Sequence, residues 1–237
     1  MNIYAIDRTI RAMCKEVEAM KPQRALWDSR TEKDLLYEAV VCIYSSQMKF
    51  EVAVAAADHL KEEGLLYRKK IIEVQSEYEN LVREALSSPL AVTIHGRQCQ
   101  TMVRFRNRLP AMLAETVRNI YGTGTTLKRI IRAAASPQHA RELLITAVTG
   151  FGTKQASLYM RRIGYSDDFA VLDTHVLDYL RLSQGFEIKP GLLSRLASYE
   201  RIEADFKRIA GQFGYATGCV DLATWVTMRA AKLEYAL

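Results

Sequence analysis

A glycine-rich turn between two helical stretches places the strongest limit on how this chain can fold. Gly150-Phe151-Gly152-Thr153 separates the stretch that opens at Ser136-Pro137 from another that begins near Lys154. A chain that reverses this tightly needs backbone angles that residues with a Cβ rarely adopt, so both glycines are expected to serve the reversal. The N–H groups that start the second helix would then face outward and could bind a phosphate. The pattern predicts a helix-hairpin-helix; a plain tight turn is the alternative for Gly-x-Gly taken alone.

The rest of the chain is also predicted to be helical almost throughout. Prolines number five, and alternating β-branched runs are nearly absent. In "TEKDLLYEAVVCIYSSQ" the apolar residues recur at helical spacing, and Thr31 and Asp34 supply start signals. Ser136 is expected to be an N-cap, with Pro137 at the first helical position. Further helices are expected at about 48–63, 71–86, 105–121, 126–134, 137–148, 154–163, 174–182, 198–213 and 217–234, and "EIKPGLLS" is expected to be a loop.

Composition narrows the class of protein. Lys and Arg outnumber Asp and Glu by 33 to 27, a balance that permits a polyanionic partner. No apolar run approaches the roughly 18 residues of a membrane span. The N-terminal stretch "MNIYAIDRTIRAM" has no signal-peptide core, so a cytoplasmic protein with no membrane partner is expected. The cysteines form no CxxC pair, which argues against a metal knuckle, and they are expected to be small buried hydrophobes: Cys14, Cys42, Cys99 and Cys219.

Two residues after the turn have the chemistry of a reactive pair. Lys154 lies in the first turn of the second helix, where the positive end of the helix dipole disfavours the protonated amine. A lysine in such a place can act as a nucleophile. Asp173 follows the apolar stretch Phe169–Leu172, at the N-cap position of the next helix. Taken singly, Lys154 could instead contact a phosphate and Asp173 could merely cap its helix.

Together, "GFGTKQASLYMRRIGY" and "AVLDTHVL" resemble the helix-hairpin-helix DNA glycosylases, most closely the compact second type of 8-oxoguanine DNA glycosylase. The motif of that type runs Gly-x-Gly-x-Lys-x-Ala-Ser and then Asp-x-His. Its positions here are Gly150, Gly152, Lys154, Ala156, Ser157, Asp173 and His175. Weaker similarities lie at 40–53, 103–116 and 219–232. The chain departs from the type in its last residues, "KLEYAL" instead of a terminal lysine, and residues 1–29 have no recognised counterpart in it.

The resemblance implies an all-α fold of the HhH-GPD glycosylase kind, in which two helical lobes flank a cleft. Residues 1–237 would form a single glycosylase unit. One lobe would cover about 34–164 and end in the hairpin 143–164. The other would combine about 1–33 with 165–237.

The resemblance also implies an activity. The chain would be a bifunctional DNA N-glycosylase/AP lyase, both hydrolase and lyase, that acts on DNA damage in base excision repair. It would excise 8-oxoguanine from double-stranded DNA through a Schiff base on Lys154 followed by β-elimination, with Asp173 stabilising positive charge at the sugar. It would need no cofactor and act as a cytoplasmic, nucleoid-associated monomer. The alternatives are another modified purine as substrate, a role in phage defence, or a non-catalytic DNA-binding helix-hairpin-helix module.

Further site residues follow from the same resemblance. The base-binding residues would be Trp225, Asp221 and Gln47. The DNA-binding residues would be Gly150, Gly152, Thr153, His175, Arg161 and Arg104. No side chains would hold a metal, although the hairpin backbone could hold a monovalent cation. Alternatives stay open for several of these residues: Trp225 as core, Asp221 as a local cap, His175 satisfied by backbone, and the arginines as a solvated face.

Overall fold

The computed structural model describes residues 2–20, 26–94, 96–185, 188 and 190–235. The elements in chain order are α1 (Ile3–Met20), a 3₁₀ turn (Trp27–Ser29), α2 (Glu32–Ser45), α3 (Phe50–Glu62), α4 (Arg68–Glu73), α5 (Tyr78–Ala85), β1 (Leu90–Ile94), β2 (Arg97–Thr101), α6 (Arg108–Tyr121), α7 (Leu127–Arg132), α8 (Pro137–Ala147), α9 (Thr153–Arg162), α10 (Thr174–Gln184), a 3₁₀ turn (Pro190–Ser194), α11 (Leu196–Phe213) and α12 (Thr217–Tyr235).

The helix starts that were predicted from capping residues are confirmed. Thr31 and Asp34 form a reciprocal capping box at the start of α2. The Ser136 hydroxyl accepts a hydrogen bond from the His139 amide at 3.1 Å, with Pro137 at the first position of α8. Local side-chain chemistry at these positions satisfies amides that have no partner within the helix, which is why the sequence alone locates them.

The helix predicted at 71–86 is wrong, because the chain forms two short helices there. Helix α4 ends at Glu73 and α5 begins at Tyr78. The residues between Ile71 and Tyr78 are exposed or half-buried, so a continuous helix would bury none of its side chains in this turn. Tyr78 is buried and donates its hydroxyl to the Leu65 carbonyl at 2.9 Å. The buried side chains therefore lie at Ile71 and Tyr78, on either side of the break.

A β-hairpin, which the sequence analysis missed, interrupts the helices. Strands β1 and β2 pair antiparallel, with Ile94 opposite Arg97 across a two-residue connection. Gly96 in that connection has a φ of 75°, as a tight hairpin turn requires. Leu90 and Val92 of β1 are buried, whereas the side chains of β2 are largely exposed. The strand pattern in the sequence was weak, since only one of the two strands alternates between apolar and polar residues.

The chain forms two compact units. Trp27–Tyr159 make up one, and Met1–Leu26 with Met160–Leu237 make up the other. Helix α9 contributes residues 153–159 to the first and 160–162 to the second. The division into lobes at about residues 34 and 165 stays a prediction.

In the unit Trp27–Tyr159, helix α2 is buried along most of its length and packs on α3. In the other unit, α12 packs against α1, α10 and α11. Helix α1 was not recognised in the sequence, although its buried residues follow helical spacing: Ile6, Ile10, Cys14 and Val17. They join a core that includes Tyr179, Tyr199 and Phe206.

The expectation that all cysteines are buried is wrong for one of them. Cys14, Cys42 and Cys219 are buried, whereas Cys99 is exposed. Cys99 lies on β2, the exposed strand of the hairpin that the sequence analysis did not recognise. The wrong prediction for Cys99 therefore follows from the failure to recognise this strand.

Several sequence expectations fall at the edges of the described ranges. Glu187 and Lys189 of the expected "EIKPGLLS" loop, and the final residues 236–237 of "KLEYAL", lie outside the described residues. Pro190–Ser194 of that loop form a 3₁₀ turn. Within the described ranges, no helix has the length and apolar character needed to cross a bilayer.

Candidate active site

The glycine turn forms the predicted hairpin between α8 and α9. Gly150 has a φ of 93°, and the Phe151 amide donates to the Val148 carbonyl at 3.0 Å. Phe151 is buried, with its ring centroid 5.6 Å from that of Tyr159 on α9. The turn is therefore anchored by its own aromatic residue as well as by its backbone bonds.

The two glycines of the hairpin have different structural roles. A Cβ on Gly150 would lie 2.0 Å from Met112 Cε, in a backbone conformation that disfavours side chains. Gly152 has no positive φ, and a Cβ on it would meet nothing within 4 Å. The expectation that both glycines are required by the backbone reversal is therefore correct for Gly150 only. At Gly152 the missing side chain leaves open space beside the start of α9.

Replacing each glycine by alanine separates these roles. Gly150→Ala is expected to lower the free energy of unfolding by about 1–3 kcal/mol, because the positive φ strains any side chain and the Met112 methyl group would have to move. Gly152→Ala is expected to change it by less than about 0.5 kcal/mol. Urea titrations followed by circular dichroism measure both values, and equal losses would contradict this account of the turn.

Helix α9 presents its first turn, and Lys154 within it, directly after the hairpin. The Ala156 amide donates to the Gly152 carbonyl at 3.0 Å, so the amides of residues 153–155 precede the hydrogen-bond ladder of the helix. Lys154 is half-buried, whereas Thr153 is buried. The burial of Thr153 leaves little of its side chain for the DNA contact that was predicted.

Buried polar contacts that the sequence analysis missed hold this turn in place. The Gln155 side chain, 5% exposed, donates through Nε2 to the Cys42 carbonyl of α2 at 2.7 Å. The Ser157 hydroxyl donates to the Thr153 carbonyl at 2.8 Å, and it accepts from Arg141 Nη1 at 3.2 Å. The first turn of α9 is thus fixed to α2 and α8 by side chains whose role depends on tertiary contacts.

Asp173 is the N-cap of α10, as predicted. Its Oδ1 accepts from the amides of His175 at 2.9 Å and Val176 at 3.0 Å. Within the described part of the chain, Asp173 Oδ2 receives no hydrogen bond. Lys154 and Asp173 belong to different compact units, and their convergence on one deoxyribose stays a prediction.

Trp225 is half-buried on α12 and has two aromatic or cationic neighbours. The Arg229 guanidinium lies 4.9 Å from the centroid of its ring, and the His175 ring meets it edge-on at 6.1 Å. Burial lowers the pKa of His175, and the negative charge of Asp173 opposes that shift. Trp225 is thus neither a core residue nor a freely exposed one, and it lies beside the helix that Asp173 caps.

Asp221 and Arg161, predicted to contact the base and the DNA backbone, contact each other. Asp221 is 1% exposed, and its Oδ1 binds the Arg161 guanidinium. Its Oδ2 accepts the Val171 amide at 2.7 Å. Burial raises the pKa of the Asp221 carboxyl, and the Arg161 charge opposes the rise. Both residues thus have partners inside the protein, which the sequence could not reveal because they lie sixty positions apart.

The remaining predicted residues lie in the unit Trp27–Tyr159. Gln47 is half-buried just beyond α2, and its amide donates to the Tyr44 carbonyl at 3.2 Å. Arg104 is exposed.

Next to Arg104, Phe105 is 48% exposed and has a φ of 57°, a conformation rare for a residue with a side chain. It borders an open groove of about 570 Å³ lined by Arg83, Ser87, Phe105, Arg106, Asn107 and Arg108. Sequence analysis missed Phe105, although its position between two arginines was visible.

Curated proteins similar to this chain are glycosylases. The chain is 29% identical over 211 residues to the 8-oxoguanine DNA glycosylase/AP lyase of Thermoplasma volcanium, which covers 89% of this chain and 86% of that relative. It is 26% identical over 224 residues to the enzyme of the same name from Sulfolobus acidocaldarius, with 94% of each chain covered.

Solved structures of the same fold support the likeness. The 8-oxoguanine DNA glycosylase of Thermotoga maritima matches with a TM-score of 0.65 and 22% identity, over 93% of this chain and 95% of that one. The Methanocaldococcus jannaschii 8-oxoguanine glycosylase/lyase, in complex with a 15mer DNA containing 8-oxoguanine, matches with a TM-score of 0.60 and 21% identity, over 93% and 87% of the two chains. At these identities the structures establish the fold, and the predicted all-α glycosylase fold class is confirmed.

A family model decides the relationship. The Ogg-HhH model, described as 8-oxoguanine DNA glycosylase, matches residues 17–215, which include residues 17–29, for which the sequence analysis recognised no counterpart. The match includes the hairpin, Lys154, Asp173 and His175, and it confirms the resemblance that these residues indicated. The chain belongs to the helix-hairpin-helix family of 8-oxoguanine DNA glycosylases.

Proposed function

We propose that this chain is a DNA glycosylase/AP lyase that excises 8-oxoguanine from double-stranded DNA. The observation that carries the proposal is the placement of Lys154, half-buried in the first turn of α9 directly after the hairpin, in a chain of this family. The names of the similar curated enzymes support both halves of the activity. The protein acts as a monomer in the cytoplasm, where its DNA substrate associates it with the nucleoid.

Binding begins at the hairpin. The amides at the start of α9 donate to a DNA phosphate, and the open space beside Gly152 lets the backbone approach closely. A monovalent cation at this site would bind backbone carbonyls of the hairpin. The damaged nucleotide is rotated out of the stack, because its C1′ atom is otherwise inaccessible.

The chemistry follows from one amine and one carboxylate at the same sugar. Asp173 stabilises positive charge as the C1′–N9 bond breaks and the base leaves with the electron pair. The uncharged Lys154 amine bonds to C1′, loses a proton, and forms a Schiff base as the ring C1′–O4′ bond opens. Loss of a C2′ proton then expels the 3′ phosphate, which breaks the strand. Asp173 Oδ1 is bonded to two amides, so Oδ2 faces the sugar.

Base recognition in the proposal uses Trp225 and Gln47. The Trp225 ring stacks on the expelled base, with Arg229 on one of its faces and His175 at its edge. The His175 side chain meets the sugar phosphate. Gln47 lies near the DNA, at the end of the helix that Gln155 ties to α9.

Exposed arginines around Phe105 supply contacts to the DNA backbone. Arg104→Ala and Arg106→Ala are each expected to weaken binding of any duplex and to reduce the salt slope, d log Kobs/d log[salt], by about 1. Lys69→Ala is the matched control, because Lys69 is a strongly exposed cation of α4 whose ammonium lies 4.0 Å from the Glu73 carboxylate. Fluorescence anisotropy between low and moderate salt measures the slopes; an unchanged slope in the two arginine variants would contradict this contact.

Borohydride trapping across a panel of duplexes tests the proposed function. Borohydride reduces a Schiff base to a stable amine, so trapping reports the covalent intermediate directly. Covalent complex and base release are expected with 8-oxoguanine opposite cytosine and not with undamaged DNA. If a complex is trapped only with another modified purine, that purine replaces 8-oxoguanine as the proposed substrate. Binding without any trapped complex would make the chain a non-catalytic DNA-binding module.

A further inference from the structure

The segment that leads into Asp173 has no regular secondary structure, and buried side chains hold its backbone. Each of three consecutive amides donates to a different side chain: Ala170 to Glu203 Oε1 at 3.0 Å, Val171 to Asp221 Oδ2 at 2.7 Å, and Leu172 to Tyr199 Oη at 3.0 Å. Buried amides outside helices and strands need such partners. The path of Phe169–Leu172 is therefore determined by side chains from α11 and α12.

Asp221 also binds α9. Its Oδ1 pairs with Arg161, in the last turn of the helix whose first turn holds Lys154, while its Oδ2 accepts the Val171 amide. The carboxylate is 1% exposed. One buried group thus joins α9, α12 and the segment before Asp173.

Val171 connects Asp221 to Asp173 through two hydrogen bonds of its backbone. The Val171 carbonyl accepts the Asp173 amide at 2.7 Å, so both polar groups of Val171 are used: one by Asp221 and one by Asp173. A shift of Val171 therefore shifts Asp173. The first turn of α12 adds to this constraint, because the Gly218 amide donates to the Asp167 carbonyl at 2.7 Å.

Close packing limits how this region could adjust. A Cβ on Gly218 would lie 3.1 Å from the Asp167 carbonyl oxygen and 3.3 Å from Arg161 Cδ. The start of α12 is therefore closely packed against Asp167 and the Arg161 side chain. In such packing we expect a change in the Asp221 side chain to move the neighbouring backbone.

We propose that Asp221 is a positioning residue of the excision step: paired with Arg161, it fixes Val171 and through it the place of the Asp173 carboxylate at the sugar. The inference rests on the proposed function, because it concerns the carboxylate assigned to that reaction. It replaces a direct contact between Asp221 and the base with an indirect role. Asp221 then affects the rate of base excision only through the position of the Asp173 carboxylate.

Asp221→Glu is the primary variant, since it keeps a carboxylate to pair with the Arg161 guanidinium and lengthens the side chain by one methylene. A displacement of catalytic geometry by about 1 Å can cost on the order of 100-fold in rate. Single-turnover excision of 8-oxoguanine is expected to slow by about 10- to 100-fold. Trapping of Lys154 on a duplex with a preformed abasic site is expected to stay within about threefold, because no base departs in that reaction. A parallel loss of both activities would overturn the proposal.

A double-mutant cycle with Asp173→Asn identifies the route of the effect. If Asp221 acts through Asp173, the variant carrying both Asp173→Asn and Asp221→Glu excises no more slowly than Asp173→Asn alone, within about twofold. Losses that multiply in the double variant would show an independent role for Asp221 and overturn the inference.

Ile10→Val controls for a general loss of stability. Ile10 is a buried core residue of α1 in the same unit, and its variant is expected to excise at the wild-type rate despite a lower melting temperature. A slow Ile10→Val variant would overturn the assignment of a specific role to Asp221. Failure of the proposed function has a different signature: wild-type protein that releases no 8-oxoguanine, or Asp173→Asn at the wild-type rate.

Discussion

Lys154→Gln is expected to abolish borohydride trapping and to lower strand cleavage at 8-oxoguanine by at least about 10³-fold. The amine is the atom that bonds to C1′, and an amide nitrogen cannot form the Schiff base. Glutamine suits a helix about as well as lysine does, so α9 is expected to keep its structure. Gel separation of trapped complexes and cleaved strands measures both quantities.

Binding of DNA separates this role from a phosphate contact. The Lys154→Gln variant is expected to bind an 8-oxoguanine duplex within a few-fold of wild type, because the hairpin amides remain. Lys69→Gln, which removes an exposed cation of α4, is expected to trap and cleave normally. Cleavage that persists in Lys154→Gln would refute the nucleophile assignment.

Asp173→Asn is expected to slow single-turnover excision by about 10²- to 10³-fold. Removal of the charge takes away the stabilisation of the cationic sugar, an effect of the size seen when one transition-state contact is lost. Asparagine caps helices as well as aspartate does, so the bonds to the His175 and Val176 amides are retained. Quenched-flow release of the base from an 8-oxoguanine duplex measures the rate.

The cap allows the catalytic loss to be distinguished from a folding defect. Asp173→Ala removes the charge and the cap together, and is expected to cost about 1 kcal/mol of stability that Asp173→Asn does not. Both variants are expected to excise slowly. An Asp173→Asn variant within threefold of the wild-type rate would show that the carboxylate does no more than cap α10.

The parts of this protein that sequence predicts are those set by local chemistry. The caps at Thr31, Ser136 and Asp173 depend on a side chain and an amide two or three residues later, so they are visible in the chain itself. Gly150 is visible for the same reason, since its positive φ belongs to the turn that contains it.

Errors arose where tertiary contacts decide the structure. The break between α4 and α5 and the exposure of Cys99 follow from how each segment packs, which local pattern does not record. Helix α1 was the exception, because its buried face repeats at helical spacing and could have been recognised.

The candidate site divides along the same line. Motif positions indicated Lys154 and Asp173, whereas the residues that hold their segments in place were not recognisable. Gln155, next to Lys154, bonds to the Cys42 carbonyl. Asp221 accepts the Val171 amide in the segment before Asp173. A buried polar side chain identifies its role only by its partner, and these partners lie far away in the chain. For this reason Asp221 and Arg161 were assigned to the base and the DNA backbone although the structure pairs them.

Peptide mapping of the trapped complex tests the central claim most directly. Wild-type protein is reduced with borohydride on an 8-oxoguanine duplex, digested with nuclease and protease, and the adducted peptide is sequenced by mass spectrometry. The adduct is predicted on Lys154, in the peptide that follows the Gly150–Gly152 turn. An adduct on another lysine or on the N-terminal amine would contradict it.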